Sequence, residues 1–199
     1  MTDDHAKPIT NGLKINTTVT QFHLESNPSL TAQSAHYLSE LIKSTKTLKK
    51  VWFEGKPNVN DEWIVLIASA LTVDRSVREI IMNHSRIGDE GAKAFGEMLA
   101  INQTLTTLCL FNNQITDVGP KALTDRLKHN STLESLSIDA IQFSETSEGG
   151  RALLKAKTKS ISPATKLNAD VIISLTSDRS TSIKVVPIII LIFKSTALP

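Results

Sequence analysis

Apolar residues recur in this chain as a triplet at spacings of three and two, and the triplet returns at a nearly constant interval. Its first members are Val19, Leu48, Val77, Leu105 and Leu133, separated by 29, 29, 28 and 28 residues. The second members are Phe22, Val51, Ile80, Leu108 and Leu136, and the third are Leu24, Phe53, Met82, Leu110 and Ile138. All fifteen positions are apolar in a chain that is 40% hydrophobic overall, so composition alone does not produce the pattern. Residues two apart on an extended segment point to one face. Each triplet therefore predicts a short strand with its second and third members turned into a core. After each strand the apolar period lengthens to three or four, which predicts a helix.

The first predicted helix turns Leu30, Ser34, Ala35, Leu38, Leu41 and Ile42 inward and leaves Gln33, Ser39, Glu40 and Lys43 in solvent. In the second, Val59, Trp63, Ile64, Ile67, Ala70 and Leu71 form the buried side. Asn60 is its N-cap, with Asp61 and Glu62 set against the positive helix end. A third helix spans about residues 89–100 with Ile87, Ala92, Phe95, Met98 and Leu99 inward. Gly91 and Gly119 share a repeat position where a small residue lets helix and strand approach closely. Trp63 holds that same position and is expected to push its helix outward or to lie at the surface. Each helix leaves through a short polar corner, such as Asn102-Gln103-Thr104 or Asn130-Ser131-Thr132, whose side chains suit the orphan backbone groups of a sharp turn.

Leu105, Leu108, Leu110, Asn113 and Ile115 spell L-x-x-L-x-L-x-x-N-x-I. With the 28/29-residue period, this resembles the leucine-rich repeat, and specifically the ribonuclease-inhibitor-like class. Asn113 sits where the chain turns out of the strand, and its amide suits backbone groups that the turn leaves unpaired. The resemblance covers roughly residues 19–154 and is strongest at Ile87-Gly88-Asp89-Glu90-Gly91-Ala92-Lys93-Ala94 and at Ile115-Thr116-Asp117-Val118-Gly119. It implies an α/β fold: a right-handed solenoid bent into a horseshoe arc, with parallel strands on the concave face and helices on the convex face. It also implies protein–protein interaction rather than catalysis.

Stacked repeats need caps at both ends. Residues 1–17 are expected to hold a disordered tail and a short capping segment around Ile9–Ile15. Residues 18–158 carry about five repeats, and 159–199 form a C-terminal cap or an irregular apolar tail. The fifth repeat decays: Ile141 replaces the turn Asn, and a helix-like stretch at 151–157 follows Gly149-Gly150. Residues 171–175 read as a strand. Residues 184–193 are intensely apolar, but too few to cross a bilayer, and Pro187 argues against a central strand. Besides capping, that run suits partner binding or weak contact with a membrane surface.

Charge and chemistry narrow the function further. A net charge of +2 with 21% charged residues gives no global attraction to nucleic acid. The single cysteine, Cys109, excludes an internal disulfide framework and suits a reducing compartment. The first residues lack a secretory leader, so the expected location is cytoplasmic, or a host cytoplasm reached by a non-standard export route. No phosphate loop, dinucleotide fingerprint, nucleophile elbow or zinc motif occurs, so no cofactor, metal or catalytic residue is expected. Cys109 reads as a strand thiol without catalytic duty.

What remains is surface. Strand residues between the inward positions face the hollow of the arc, and equivalent residues of adjacent repeats lie about 5 Å apart. One such row is His23, Trp52, Ile81, Cys109 and Ser137; the next is Glu25, Glu54, Asn83, Phe111 and Asp139; a third begins Gln21, Lys50, Glu79. The expectation is an apolar patch of Trp52, Ile81, Cys109 and Phe111, rimmed by Glu25, Glu54, Glu79 and Asp139. Such patches mark interaction sites, and Trp is enriched at binding hot spots. The predicted function is a non-enzymatic module docking a protein partner, a basic one given the acidic rim, on its concave face. The alternatives are a recognition arm of a larger enzyme system, such as a ubiquitin ligase, or a secreted bacterial effector.

Overall fold

The computed structural model describes residues 1–24, 27, 29–53, 58–139, 151, 171–173 and 188–192. Five strands and five helices alternate: α1 (Asp3–Ile15), β1 (Gln21–His23), α2 (Ala32–Ser44), β2 (Lys50–Trp52), α3 (Asp61–Val73), β3 (Glu79–Ile81), α4 (Asp89–Leu99), β4 (Thr107–Leu110), α5 (Val118–Leu127) and β5 (Ser135–Asp139). Two further strands follow, β6 (Val171–Ile173) and β7 (Ile188–Ile192). The sheet order is β1-β2-β3-β4-β5-β7-β6. Strands β1 to β5 are parallel and in register at the repeat interval, with Phe22 against Val51, Val51 against Ile80, Ile80 against Leu108, and Leu108 against Leu136. Each helix packs on the next, which makes the architecture an α/β solenoid with the strand ladder on one side and the helices on the other.

Thirteen of the fifteen triplet residues are buried, from Leu24 to Ile138. Val19 and Phe22 are half-buried because β1 has no strand on its outer side. At the helix-to-strand corners a polar ladder runs through the core. The fully buried Asn102 amide donates to the carbonyl of Leu71 at 2.6 Å, and its oxygen accepts from the backbone N–H groups of Thr104 and Leu105, both at 2.8 Å. Asn130 repeats this one turn later, donating to Leu99 and Asn102 carbonyls at 2.8 Å and accepting from Thr132 and Leu133. In the preceding corner Asp74 accepts from the N–H groups of Ser76 and Val77, while the Ser76 hydroxyl donates to the Thr45 carbonyl at 3.3 Å. There an Asp–Ser pair does the work of one Asn. Asn113 behaves as expected: its amide donates to the carbonyls of Met82 and Leu110, and its oxygen accepts from the Ile87 N–H.

A second ladder joins the helix N-termini. Residues 3, 32, 61, 89 and 117 are equivalent, and they read Asp, Ala, Asp, Asp, Asp. Asp3 accepts from the N–H of Thr31 and the hydroxyl of Ser34; burial opposes its ionisation, but these bonds from Ser34 and Thr31 hold its carboxyl below the ordinary value. Asp61 accepts from Gly88 N–H at 2.7 Å, and Asp89 from Thr116 and Gly119 N–H at 2.8 and 2.9 Å. Each carboxylate thus caps the next repeat's helix. A Cβ on Gly91 would lie 2.6 Å from an Asp61 oxygen, and one on Gly119 2.8 Å from an Asp89 oxygen, so these glycines make the room.

Four expectations are corrected. Trp63 is 1% exposed, because the preceding repeat lacks the carboxylate: Ala32 stands where Asp would, and both residues line one cavity of about 280 Å³. Trp63 also meets Phe53 edge-on at 6.4 Å. Ser39 is buried, not solvated, with its hydroxyl donating to the His36 carbonyl. The first residues form one long helix from Asp3, whose buried contacts are Ala6 and Thr10; Ile9 and Ile15 stand exposed. Small residues let this capping helix lie close to α2. Finally, β7 lies between β5 and β6, antiparallel to both, although a central strand was not expected there. The stretch from Ile188 is thus an interior strand of the sheet. The predicted features at 141–150, 152–157, 174–175 and 184–187 fall outside the described residues.

Candidate functional site

The concave rows form in the expected register: His23 beside Trp52, Trp52 beside Ile81, Ile81 beside Cys109, and Cys109 beside Ser137. Parallel pairing at a constant period brings about residues 28 or 29 apart side by side. Trp52 is half-buried among neighbours from its own row and the next. The His23 ring meets it edge-on at 4.8 Å, and the Lys50 ammonium sits 5.0 Å from its ring centroid. Lys50 also pairs with Glu79 at 2.8 Å. The Trp52 Nε1–H is buried and has no hydrogen-bond partner among the described residues. An orphan indole N–H costs free energy of about 1–3 kcal/mol unless an acceptor reaches it.

Phe111 forms a second centre one row further along. It is half-buried, its N–H donates to the Asn83 side-chain oxygen at 2.9 Å, and its ring meets His84 edge-on at 5.5 Å. His84 and Asn112 hold equivalent positions 28 residues apart, both with positive φ, 55° and 53°, and their side chains lie 2.6 Å apart. Asn adopts this left-handed backbone with little strain, and the pair fixes the rim beside Phe111.

Of the remaining predicted residues, Ile81 is 9% exposed and contributes little free surface, so the apolar row is interrupted between Trp52 and Cys109. Cys109 is half-buried, and burial, with the Glu79 charge behind it, pushes its thiol up while Lys50 pulls the other way. Glu79 is committed to Lys50. Glu25 and Glu54 lie outside the described residues, and Asp139 is placed only by its backbone, opposite Ile188 on β7. Lys50, His84 and Asn112 join the site without having been singled out in advance. Lys50 was legible only as a row member; the signal for the other two was an Asn recurring one repeat after a His just beyond a strand. Among the described residues no cluster of His, Cys, Asp and Glu is arranged to hold a metal, and no helix is long and apolar enough to cross a membrane.

The fold and this ladder of strand residues define a repeat protein, and comparison with known proteins says which kind. A family model described as leucine-rich repeat matches residues 73–96 and 102–123. Those two stretches of the chain are similar to leucine-rich repeats. The chain's fold is similar to that of the actin-binding site 2 of leiomodin-1, with a TM-score of 0.66 at 16% identity, covering 79% of this chain and 88% of that one. It is also similar to the tropomodulin C-terminal domain of Caenorhabditis elegans, with a TM-score of 0.62 at 12% identity, covering 78% and 92%. Among curated proteins, none matches this sequence.

Proposed function

We propose that this protein is a non-enzymatic binding module that docks a protein partner on its concave face, with Trp52 and Phe111 as anchors. The observation that carries the reading is Trp52: a large ring braced by His23 and Lys50, half-buried, with an indole N–H that finds no acceptor in the described chain. That N–H is enclosed, so a partner would meet the part of the ring that remains exposed rather than the donor itself. Such a residue has the features of a hot spot: rigid, partly desolvated, and apolar with one polar handle. The leiomodin-1 fragment sharing the fold is named as an actin-binding site, which supports a protein as the ligand of such a surface. A basic partner is the kind that the acidic rim expected from the sequence at Glu25, Glu54 and Asp139 would draw, since Glu79 is already paired with Lys50. The test compares proteins captured by the wild-type chain and by Trp52→Ala, with actin as the first purified candidate.

A further inference from the structure

The helix-to-strand corners carry a surface that the concave-face reading does not use. In the first three corners, residues 14–20, 43–49 and 72–78, the cations are Lys14, Lys43, Lys46, Lys49, Arg75 and Arg78, and the one acid is Asp74. Asp74 is 2% exposed and turned inward onto Ser76 and Val77. Two acids border the edge: Glu40, which pairs with Lys43 and is also near Lys14, and Glu79, which pairs with Lys50. Lys46, Lys49, Arg75 and Arg78 form no ion pair with a carboxylate among the described residues. Lys46 and Arg75 hold equivalent positions one repeat apart, as do Lys49 and Arg78. The backbones of the latter pair are joined directly, with Arg78 N–H donating to the Lys49 carbonyl at 2.8 Å. Arg75 is splayed along the corner by bonds to the Thr72 and Asp74 carbonyls. Lys14 and Lys43 complement helix C-termini, but Lys49 and Arg78 lie past the helices at the strand entrances, where no dipole calls for them.

The same edge carries exposed aliphatic residues. Ile15, Val73 and Ile101 hold equivalent positions in three repeats and are 85%, 60% and 57% exposed. The opposite edge, where the helices begin, is acidic, with Asp3, Asp4, Asp61, Glu62, Asp89 and Glu90. With Arg86 the cation beside Asn60 and Glu62 there, the two edges still differ in the sign of their charge although the net charge is only +2. We infer that the helix-to-strand edge is a docking surface for an anionic lipid bilayer. Cations attracted to acidic headgroups, with aliphatic side chains between them reaching into the acyl boundary, match this composition. An acidic peptide would leave the three aliphatics without a role, and a nucleic acid would find no aromatic platform there. The acidic edge, repelled by the same surface, would orient the solenoid edge-on.

The test is co-sedimentation of the full chain with phosphatidylcholine vesicles, with and without phosphatidylserine. Two variants accompany it, Lys46→Glu/Arg75→Glu and Ile15→Ser/Val73→Ser/Ile101→Ser. All five side chains are exposed, and circular dichroism checks the fold. Binding to the serine-lipid vesicles alone is expected, falling as salt rises. Each cation near such a surface raises binding about five-fold, so the charge reversal should lower it by more than about 25-fold. The serine triple variant should bind more weakly at the same salt. Absence of binding to the anionic vesicles overturns the inference. So does binding unchanged in the charge-reversed chain, which would place the contact elsewhere, such as residues 184–193. Unchanged binding by the triple serine variant overturns it too, as does a wild type that ignores vesicles but takes up polyglutamate or DNA.

Discussion

Ala32 and Trp63 form an inverted copy of a pair that recurs along the helix N-termini. In the neighbouring repeats a carboxylate on one helix faces a small residue on the next: Asp3 with Ser34, Asp61 with Gly91, and Asp89 with Gly119. Between α2 and α3 the small residue comes first and the large one second, so the indole enters space that a carboxylate and its hydrogen bonds fill elsewhere.

The two residues should therefore be coupled. Trp63→Gly alone is expected to lose about 3–5 kcal/mol of stability, as for removal of a buried aromatic. Ala32→Asp alone should destabilise by forcing a carboxylate against the indole. The double variant recreates the arrangement of Asp61 and Gly91, so its loss should be smaller than the sum by about 0.5–3 kcal/mol. Urea denaturation of the four proteins measures the coupling, and strict additivity would disprove it.

Asn102→Ala should be among the most damaging polar substitutions. It removes one acceptor serving two backbone N–H groups and one donor serving the Leu71 carbonyl, all inside the core. With unsatisfied buried groups costing about 1–3 kcal/mol each, a loss of roughly 3 kcal/mol is expected. Asn102→Asp should keep the two acceptor bonds but set a carboxylate oxygen against a carbonyl, and be destabilised most at neutral pH. Thermal unfolding at several pH values checks both.

Cys109 should react slowly with a disulfide reagent at neutral pH. Burial and the Glu79 charge both favour its neutral thiol, and Lys50 only partly opposes them. Its thiolate should appear only above the ordinary thiol range, so the rate should still be climbing there. Because the folded-state value is raised, the stability that this protonated thiol contributes is complete below the unfolded-state value. It is lost as pH rises through the folded one. Glu79→Gln should speed the reaction at fixed pH by leaving Lys50 unopposed; a rate already at its plateau at pH 7 would contradict the assignment.

Trp52→Ala should weaken partner binding by about 2 kcal/mol or more, roughly thirty-fold, with little change in stability. Phe111→Ala should act in the same direction. With Trp63 buried, a shift in tryptophan emission on adding partner reports mainly on Trp52, and calorimetric titration gives the affinities. Equal capture by wild type and Trp52→Ala would remove the concave face from the mechanism.

How much was legible differs between the two ladders. The strand rows follow from period alone, so Trp52, Ile81 and Cys109 could be set side by side before any coordinates. What each side chain then does depends on neighbours that the period does not specify. Ile81 sinks into the core, Lys50 pairs with Glu79 within its own row and reaches out of it to Trp52, and His84 turns onto Phe111. Trp63 was misplaced for the same reason. Its burial is settled by a residue on another helix, Ala32, and a rule about one position cannot see a compensating change 31 residues earlier.

The sequence by itself determined the repeat, its 28/29-residue length, the inward columns and the polar corners, because parallel stacking forces every turn to bury the same positions and to satisfy the same backbone groups. Only the tertiary structure decided which exposed side chains pair across turns, that the N-terminal residues form a full capping helix, and that β7 joins the ladder at β5. The first rests on side-chain conformations that the period does not set, and the other two on contacts between residues whose separation in the chain carries no fixed period.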